Sequence, residues 1–289
     1  MSVLARRAEA LGARLPPLLA QAERVAATVA QGVHGRRRVG LGDSFWQFRP
    51  FLPGDHVNRI DWRQSAKSDR TFIRETEWEA AQTVALWRDG SASMRWRSRG
   101  HSVEKIERAE LLLLALAALL LRGGERVRLI GSEVRASAGR ATLDRLAEAL
   151  PQLTEGAGVP PPARLPPHGR VVLFGDFLAP LPEIQGAVAH LASVPVAGTL
   201  VQVLDPAEAL LPYSGRIRFR GLEREPDALV PRVEGVRAAY AEALERQQAG
   251  LAAIAAAARF GFFVHRTDQP AEAALLGLYT RLAGMGAGR

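Results

Sequence analysis

The chain reads as a doubly wound α/β protein, with a helical segment and a small β-rich module ahead of the main domain. Three observations point there. From Thr83 onward, continuous apolar strands alternate with helical stretches, the pattern of a parallel sheet covered on both faces. Residues 35–80 break that pattern with short strand-like runs, and all five tryptophans of the chain fall between Trp46 and Trp96. At 289 residues and 47% hydrophobic composition, the chain can bury a large core without disulfides, and it has no cysteine to make them. The predicted organisation is an N-terminal helical segment over 1–34, a β-rich module over 35–80 and an α/β domain over 81–289.

Each element has its own signal. Leu18, Leu19, Ala22, Val25 and Val29 recur at helical spacing after Pro16-Pro17, where prolines start a helix rather than continue one. In the module, Ser44–Phe51 and Thr71–Thr76 look like strands, and Pro53-Gly54-Asp55 is turn chemistry. Thr83–Arg88 is the first strand of the α/β domain and ends at Asp89. A helix follows over Val103–Leu121, with Ser102 as its cap and Gly123-Gly124 as its stop. Arg126–Ile130 is the second strand, Glu133–Ser137 a short third, and Thr142 caps a helix over Leu143–Leu150. After a five-proline loop, Gly156–Gly169, the apolar run Arg170–Gly175 is the fourth strand and ends at Asp176. The rest reads as a helix near Pro182–Leu191, a strand Ala197–Leu204, an inserted edge strand at 213–221, an Ala-rich helix Val233–Arg259, a last strand Gly261–His265 and a terminal helix Ala271–Ala283.

Several function classes fall away. The longest apolar run, Leu111–Leu121, is eleven residues, against the ~20 a bilayer requires. Arginines interrupt what would be the apolar part of a signal peptide, so a cytoplasmic location without a membrane span is expected. No phosphate-binding glycine loop occurs, which argues against ATP hydrolysis by this chain. The six histidines show no metal spacing, and Ser91 with His101 lacks a third partner for a hydrolase triad.

The sharpest signal is Asp89-Gly90-Ser91-Ala92-Ser93, directly after a strand. A carboxylate with hydroxyls two and four residues on places three hard oxygen donors on one loop, the donors that Mg²⁺, Mn²⁺ and Ca²⁺ prefer. With strand order 3-2-1-4-5-6, the order reverses between strands one and four, and ligands bind outside the carboxyl ends there. Asp89 and Asp176 end those two strands, so they are expected to converge. The plainer reading of the pentapeptide is a turn with a helix cap.

Asp89–Met94 (DGSASM) resembles the metal-ion-dependent adhesion motif of von Willebrand factor A-type domains. Upstream, Arg49, Pro53-Gly54-Asp55 and Arg59-Ile60-Asp61-Trp62, with Ala66 and Arg70, are similar to the hallmark of the bacterial family known as domain of unknown function fifty-eight. Glu75–Glu79, the Asp205-Pro206-x-Glu208 segment and Tyr240 also fit, so the resemblance covers residues 30–270. It implies a Rossmann-like A-type domain behind a β-rich module and a non-enzymatic, chaperone-like role beside a MoxR-type AAA+ ATPase. The client protein is not implied. The motif's ligands map onto Asp89, Ser91, Ser93 and Asp176, with Thr154 nearest the expected threonine loop, for Mg²⁺ or else Mn²⁺ or Ca²⁺. One departure stands out: Arg88 replaces the usual apolar residue before the motif's Asp, and its guanidinium could pair with Asp89 or Asp176 and compete with a cation.

A second class of function rests on charge. Residues 35–100 hold twelve arginines and one lysine against eight acids, in a chain of net charge +8. Cations bind phosphates and aromatics stack on bases, so a nucleic-acid-binding segment at 35–99 is the alternative. Against it, the acids dilute the patch and the tryptophans sit where core and turn residues are expected. On the local reading, Pro53-Gly54-Asp55 is a turn, and Arg59, Asp61 and Trp62 form an internal salt bridge beside a core aromatic. A metal-dependent hydrolase, a third class, lacks an evident general base.

Overall fold

The computed structural model describes residues 39–52, 55–57, 60–77, 82–100, 103–153, 158–223 and 225–284. The helical segment expected over 1–34, Arg59, Ser102 and Thr154 lie outside the described residues. The chain divides into two compact units, which part between Ala81 and Gln82.

In the first unit, β1 (Val39–Pro50) pairs antiparallel with β2 (Phe72–Glu77), with Arg49 opposite Ile73 and Pro50 opposite Phe72. Arg49 grips Asp55 through two parallel hydrogen bonds of 2.7 Å, a geometry that a planar guanidinium and a carboxylate favour. Asp55 also accepts from the Leu52 backbone N–H at 2.8 Å, so one carboxylate closes the turn after β1. Asp61 caps the four-residue helix α1 (Trp62–Ser65) by accepting from Gln64 N–H at 2.8 Å. One expectation changes here: Trp62 is no core aromatic, being 66% exposed. The salt bridge expected between Arg59 and Asp61 lies outside the described residues.

The second unit is a doubly wound, Rossmann-like α/β domain. Its strands β3 (Thr83–Arg88), β4 (Arg126–Leu129), β5 (Arg170–Gly175), β6 (Ala197–Leu204) and β9 (Phe260–Arg266) form one parallel sheet in the order β4-β3-β5-β6-β9. Counted within this sheet, the order is 2-1-3-4-5, one strand fewer than expected. The segment Glu133–Ser137 makes only a single antiparallel bridge, Val127 to Ser137. It is short, and its two apolar residues, Val134 and Ala136, are only half-buried. The reversal still falls between the strands that end at Asp89 and Asp176, because β3 lies directly beside β5.

Helices cover both faces. α2 (Lys105–Arg122) is buried from Ala109 to Leu121 and packs on the sheet beneath α3 (Arg140–Ala149) and α7 (Ala271–Gly284). A helix apolar all round belongs in such a layer. On the opposite face Ala85, Trp87, Val171 and Leu173 meet Ile184 and Val188 of α4 (Leu181–Leu191) and Leu251 and Ala255 of α6 (Arg237–Ala257). Three further details differ from the sequence reading. α2 is capped by Glu104, which forms a capping box with Glu107. α3 starts after Gly139, and Thr142 sits inside its first turn, donating back to Ala138 O at 3.0 Å. The segment 213–221 leaves the main sheet and forms a separate hairpin, β7 (Ile217–Phe219) with β8 (Ala228–Val230). Among the described residues no helix is long and apolar enough to cross a membrane.

The module's geometry separates two of its motif residues energetically. Trp62→Ala should change unfolding stability by no more than about 0.5 kcal/mol, because the ring is exposed. Asp61→Ala should cost about 1 kcal/mol through the lost cap. Urea unfolding followed by circular dichroism compares them, and a loss of several kcal/mol for Trp62→Ala would contradict the exposed placement.

Candidate functional site

The site lies at the carboxyl ends of β3 and β5. Asp89 continues β3 and donates its backbone N–H to Phe174 O of β5 at 2.7 Å, which carries the strand pairing to the mouth of the sheet. A Cβ on Gly175 would stand 3.0 Å from Asp89 Cβ, so a side chain there would push on the carboxylate's own stem. Glycine lets the two strand ends close up. Asp89 is fully buried, Ser91 and Asp176 nearly so.

From these residues a hydrogen-bonded chain runs across the site. Ser91 N–H donates to Asp89 Oδ1 at 2.8 Å. Ser91 Oγ lies 3.0 Å from Ser93 Oγ, and Ser93 donates its hydroxyl to Asp176 Oδ2 at 2.6 Å. The same Asp176 oxygen accepts from Lys105 Nζ at 2.8 Å, and Lys105 also donates to Glu208 Oε1 at 2.5 Å. Asp89 Oδ2 is buried and, among the described residues, has no hydrogen-bond partner. Burial, reinforced by the nearby charge of Asp176, pushes the Asp89 carboxyl up to about 6. Burial pulls the Lys105 ammonium down, but the carboxylates of Asp176 and Glu208 more than reverse this, and it stays firmly charged.

Arg88 takes no part in this chain. Side chains alternate along a strand, and Arg88 turns onto the face that α2 covers. There its Nε donates to Glu110 at 3.0 Å and one terminal nitrogen to Leu150 O at 2.8 Å. The expected competition from Arg88 is thus replaced by Lys105, seventeen residues on, at the start of α2. Lys105 and Glu208 were not among the predicted ligands. Signals for both were present: Lys67 and Lys105 are the only lysines among 38 basic residues, and Asp205-Pro206-Ala207-Glu208 spells a capping box with proline at its first helical position. That box opens α5 (Pro206–Leu210), where Asp205 accepts from Ala207 N–H and Glu208 Oε2 from Asp205 N–H.

The surroundings fix the loops that carry these groups. Phe177, fully buried with φ +50°, packs against Trp87 with the rings tilted and 6.3 Å between their centres. Gln247 of α6 donates to Phe177 O and Ala179 O, and Gln202 of β6 donates to Asp176 O. These bonds hold a left-handed non-glycine residue beside Asp176, where strain persists only when neighbours over-determine it. At the mouth, Glu223, on the loop between β7 and β8, takes Ser93 N–H at 3.4 Å. Gly158, four residues beyond Thr154, approaches Asp89 Oδ2: a Cβ there would stand 3.9 Å from it. Of the predicted module residues, Arg49, Asp55 and Asp61 hold the turn and cap described above, Trp62 is exposed, and Arg59 is outside the described residues.

The donor set suits a hard cation. Asp89 offers one buried oxygen that no described residue satisfies, and the linked Ser91, Ser93 and Asp176 add further oxygen donors. Among the described residues no three acidic or imidazole side chains converge on one point, so the set is two carboxylates with two hydroxyls.

The raised Asp89 carboxyl has a measurable consequence. A folded-state pKa of about 6 against an ordinary 3.8 means that folding favours the neutral acid. The stability this confers is fully present below pH 3.8 and is lost as pH rises through about 6. Asp89→Asn stays neutral throughout, so its stability relative to wild type should rise by up to about 3 kcal/mol across that window. His265, pushed down to about 4 mainly by burial, titrates alike in both proteins and cancels. Urea unfolding in EDTA at several pH values measures the difference, and a pH-independent gap would refute the assigned shift.

Three comparisons bear on this arrangement. A family model described as "Protein of unknown function DUF58" matches residues 47–250. No curated protein matches the chain. Among solved structures, the crystal structure of the conserved hypothetical protein BatB from Bacteroides thetaiotaomicron is 15% identical, covering 71% of this chain and 100% of that one at a TM-score of 0.36, too distant to carry an argument. The family match, by contrast, takes in the Arg49–Asp55 turn, the Asp89 loop, Asp176 and the Asp205–Glu208 cap in one span, and the chain belongs to the DUF58 family.

Proposed function

We propose that this DUF58 protein is a non-enzymatic interaction protein that docks a partner through the Asp89 site, in a chaperone-like role beside a MoxR-type AAA+ ATPase. The ATPase enters through the family resemblance. The docking reading rests on Asp89 Oδ2, a buried carboxylate oxygen without a hydrogen-bond partner among the described residues, on a loop with two hydroxyls linked to a second carboxylate. Leaving such an atom unpaired is costly, and a cation is the group that would satisfy it. Asp89, Ser91, Ser93 and Asp176 would hold Mg²⁺ or Mn²⁺, and the ion would offer an open position to an oxygen ligand. A carboxylate suits that position best, since it adds charge attraction that water lacks. Glu223, on Ser93 N–H, already brings a carboxylate to the mouth, which supports the choice of ligand.

The exposure of Trp62 favours a second reading. It stands beside exposed Arg63, Lys67 and Arg70, so the objection that the tryptophans are core residues does not hold at this position. A stacking platform with cations around it is what single-stranded nucleic acid binds.

Binding of the MoxR-type ATPase from the same genome to immobilised protein, in Mg²⁺ and in EDTA, tests the first reading. Asp89→Ala or EDTA should weaken the complex at least about tenfold, since a charged contact is removed. Equal binding under all conditions would remove the site from the interaction. A salt-dependent mobility shift with generic single-stranded DNA, abolished by Trp62→Ala, would instead favour the second reading.

A further inference from the structure

Lys105 is the group that docking through Asp89 leaves without a role. Its ammonium is fully buried and bonds two acids, one of which, Asp176, belongs to the candidate cation site. An ordinary buried ion pair needs only one partner. Here Asp176 Oδ2 is shared between Ser93 Oγ and Lys105 Nζ, so the positive charge sits on an oxygen that faces the donor set. A divalent cation brought to that oxygen would meet an ammonium already on it, and like charges in a buried setting repel strongly. Glu208 provides the way out. Its Oε1 already takes one ammonium proton, and its Oε2 is fixed on Asp205 N–H at 2.9 Å, so it is a rigid receptor for the displaced charge. Lysine suits the task where arginine would not: it is a compact point charge on a flexible stem, whereas a guanidinium presents a wide planar fork. In a chain that uses arginine for 36 of its 38 basic residues, this position carries one of the two lysines.

We propose that Lys105 is the specificity-setting counter-ion of the site: it competes with a divalent cation for Asp176 and withdraws onto Glu208 when the cation binds. The inference rests on the cation reading above and adds its regulation. It makes cation binding weak and reversible, and it gives the Asp-Pro-x-Glu segment a task at the site beyond capping α5.

The test uses the full chain with Mn²⁺ as probe, measured by calorimetry for wild type, Lys105→Gln, Glu208→Gln, the double variant and Asp89→Asn. Lys105→Gln should bind Mn²⁺ at least about tenfold more tightly than wild type, and Glu208→Gln at least about tenfold more weakly, each a shift of one logarithm in the binding constant. A merely structural ion pair would move both variants the same way. Because Lys105→Gln leaves two buried acids facing each other, the double variant, which removes the charges together, guards against unfolding and should bind more tightly than Glu208→Gln alone. A second readout is direct: labelled lysine side chains give one resonance each for Lys67 and Lys105, and Mg²⁺ should move only that of Lys105. If wild type binds Mn²⁺, Asp89→Asn does not, and Lys105→Gln binds no more tightly with its wild-type resonance unmoved, this inference falls and the cation reading stands. If none of the proteins, Lys105→Gln included, binds Mn²⁺, both fall.

Discussion

The functional end of the α/β domain depends on one buried ammonium. Lys105 joins the start of α2, the loop after β5 and the cap of α5, three segments far apart in sequence, through Asp176 and Glu208. A fully buried charge is tolerable only when it is paired and hydrogen-bonded, so its two acids are held as firmly as it is. Once Asp176 is fixed, Ser93 and Ser91 follow by hydrogen bonding, and the loop after β3 takes its shape. Removing Lys105 would leave both acids without it.

The charge balance of the site is therefore internal. Asp176 and Glu208 share one ammonium, and Asp89, beside Asp176, holds its proton well above the ordinary carboxyl range chiefly because it is buried. The rigid elements around it carry the strain: Gln202 and Gln247 brace the backbone where Phe177 adopts a left-handed conformation. Preorganisation of this kind keeps donors in place without the ligand supplying the ordering energy.

The β-rich module is built on a different principle. Its turn and short helix are closed by carboxylates, Asp55 on Arg49 and Leu52 N–H, and Asp61 on Gln64 N–H. Trp62 stands at the surface beside them. The motif that identifies the family upstream of the sheet thus divides into residues that make the fold and one that the fold displays.

Sequence alone determined the parallel strands, the buried helix and the convergence of Asp89 with Asp176, because each is written locally: apolar runs that need cover on two faces, and an acid at the end of each of two such runs. The strands Thr83–Arg88, Arg170–Gly175 and Ala197–Leu204 carry that signal so fully that their bounds coincide with the structure. Where the local signal was short it misled, as at Glu133–Ser137 and 213–221, since strand pairing there is decided by what lies alongside. Only tertiary structure could decide which cation serves the site. Arg88 is adjacent in sequence, but strand alternation turns it onto α2; Lys105 and Glu208 are 103 residues apart, and only the fold of β3, α2 and α5 around one sheet end brings them to Asp176. Local pattern fixes which face a residue takes, whereas the partner it meets there depends on which distant element covers that face.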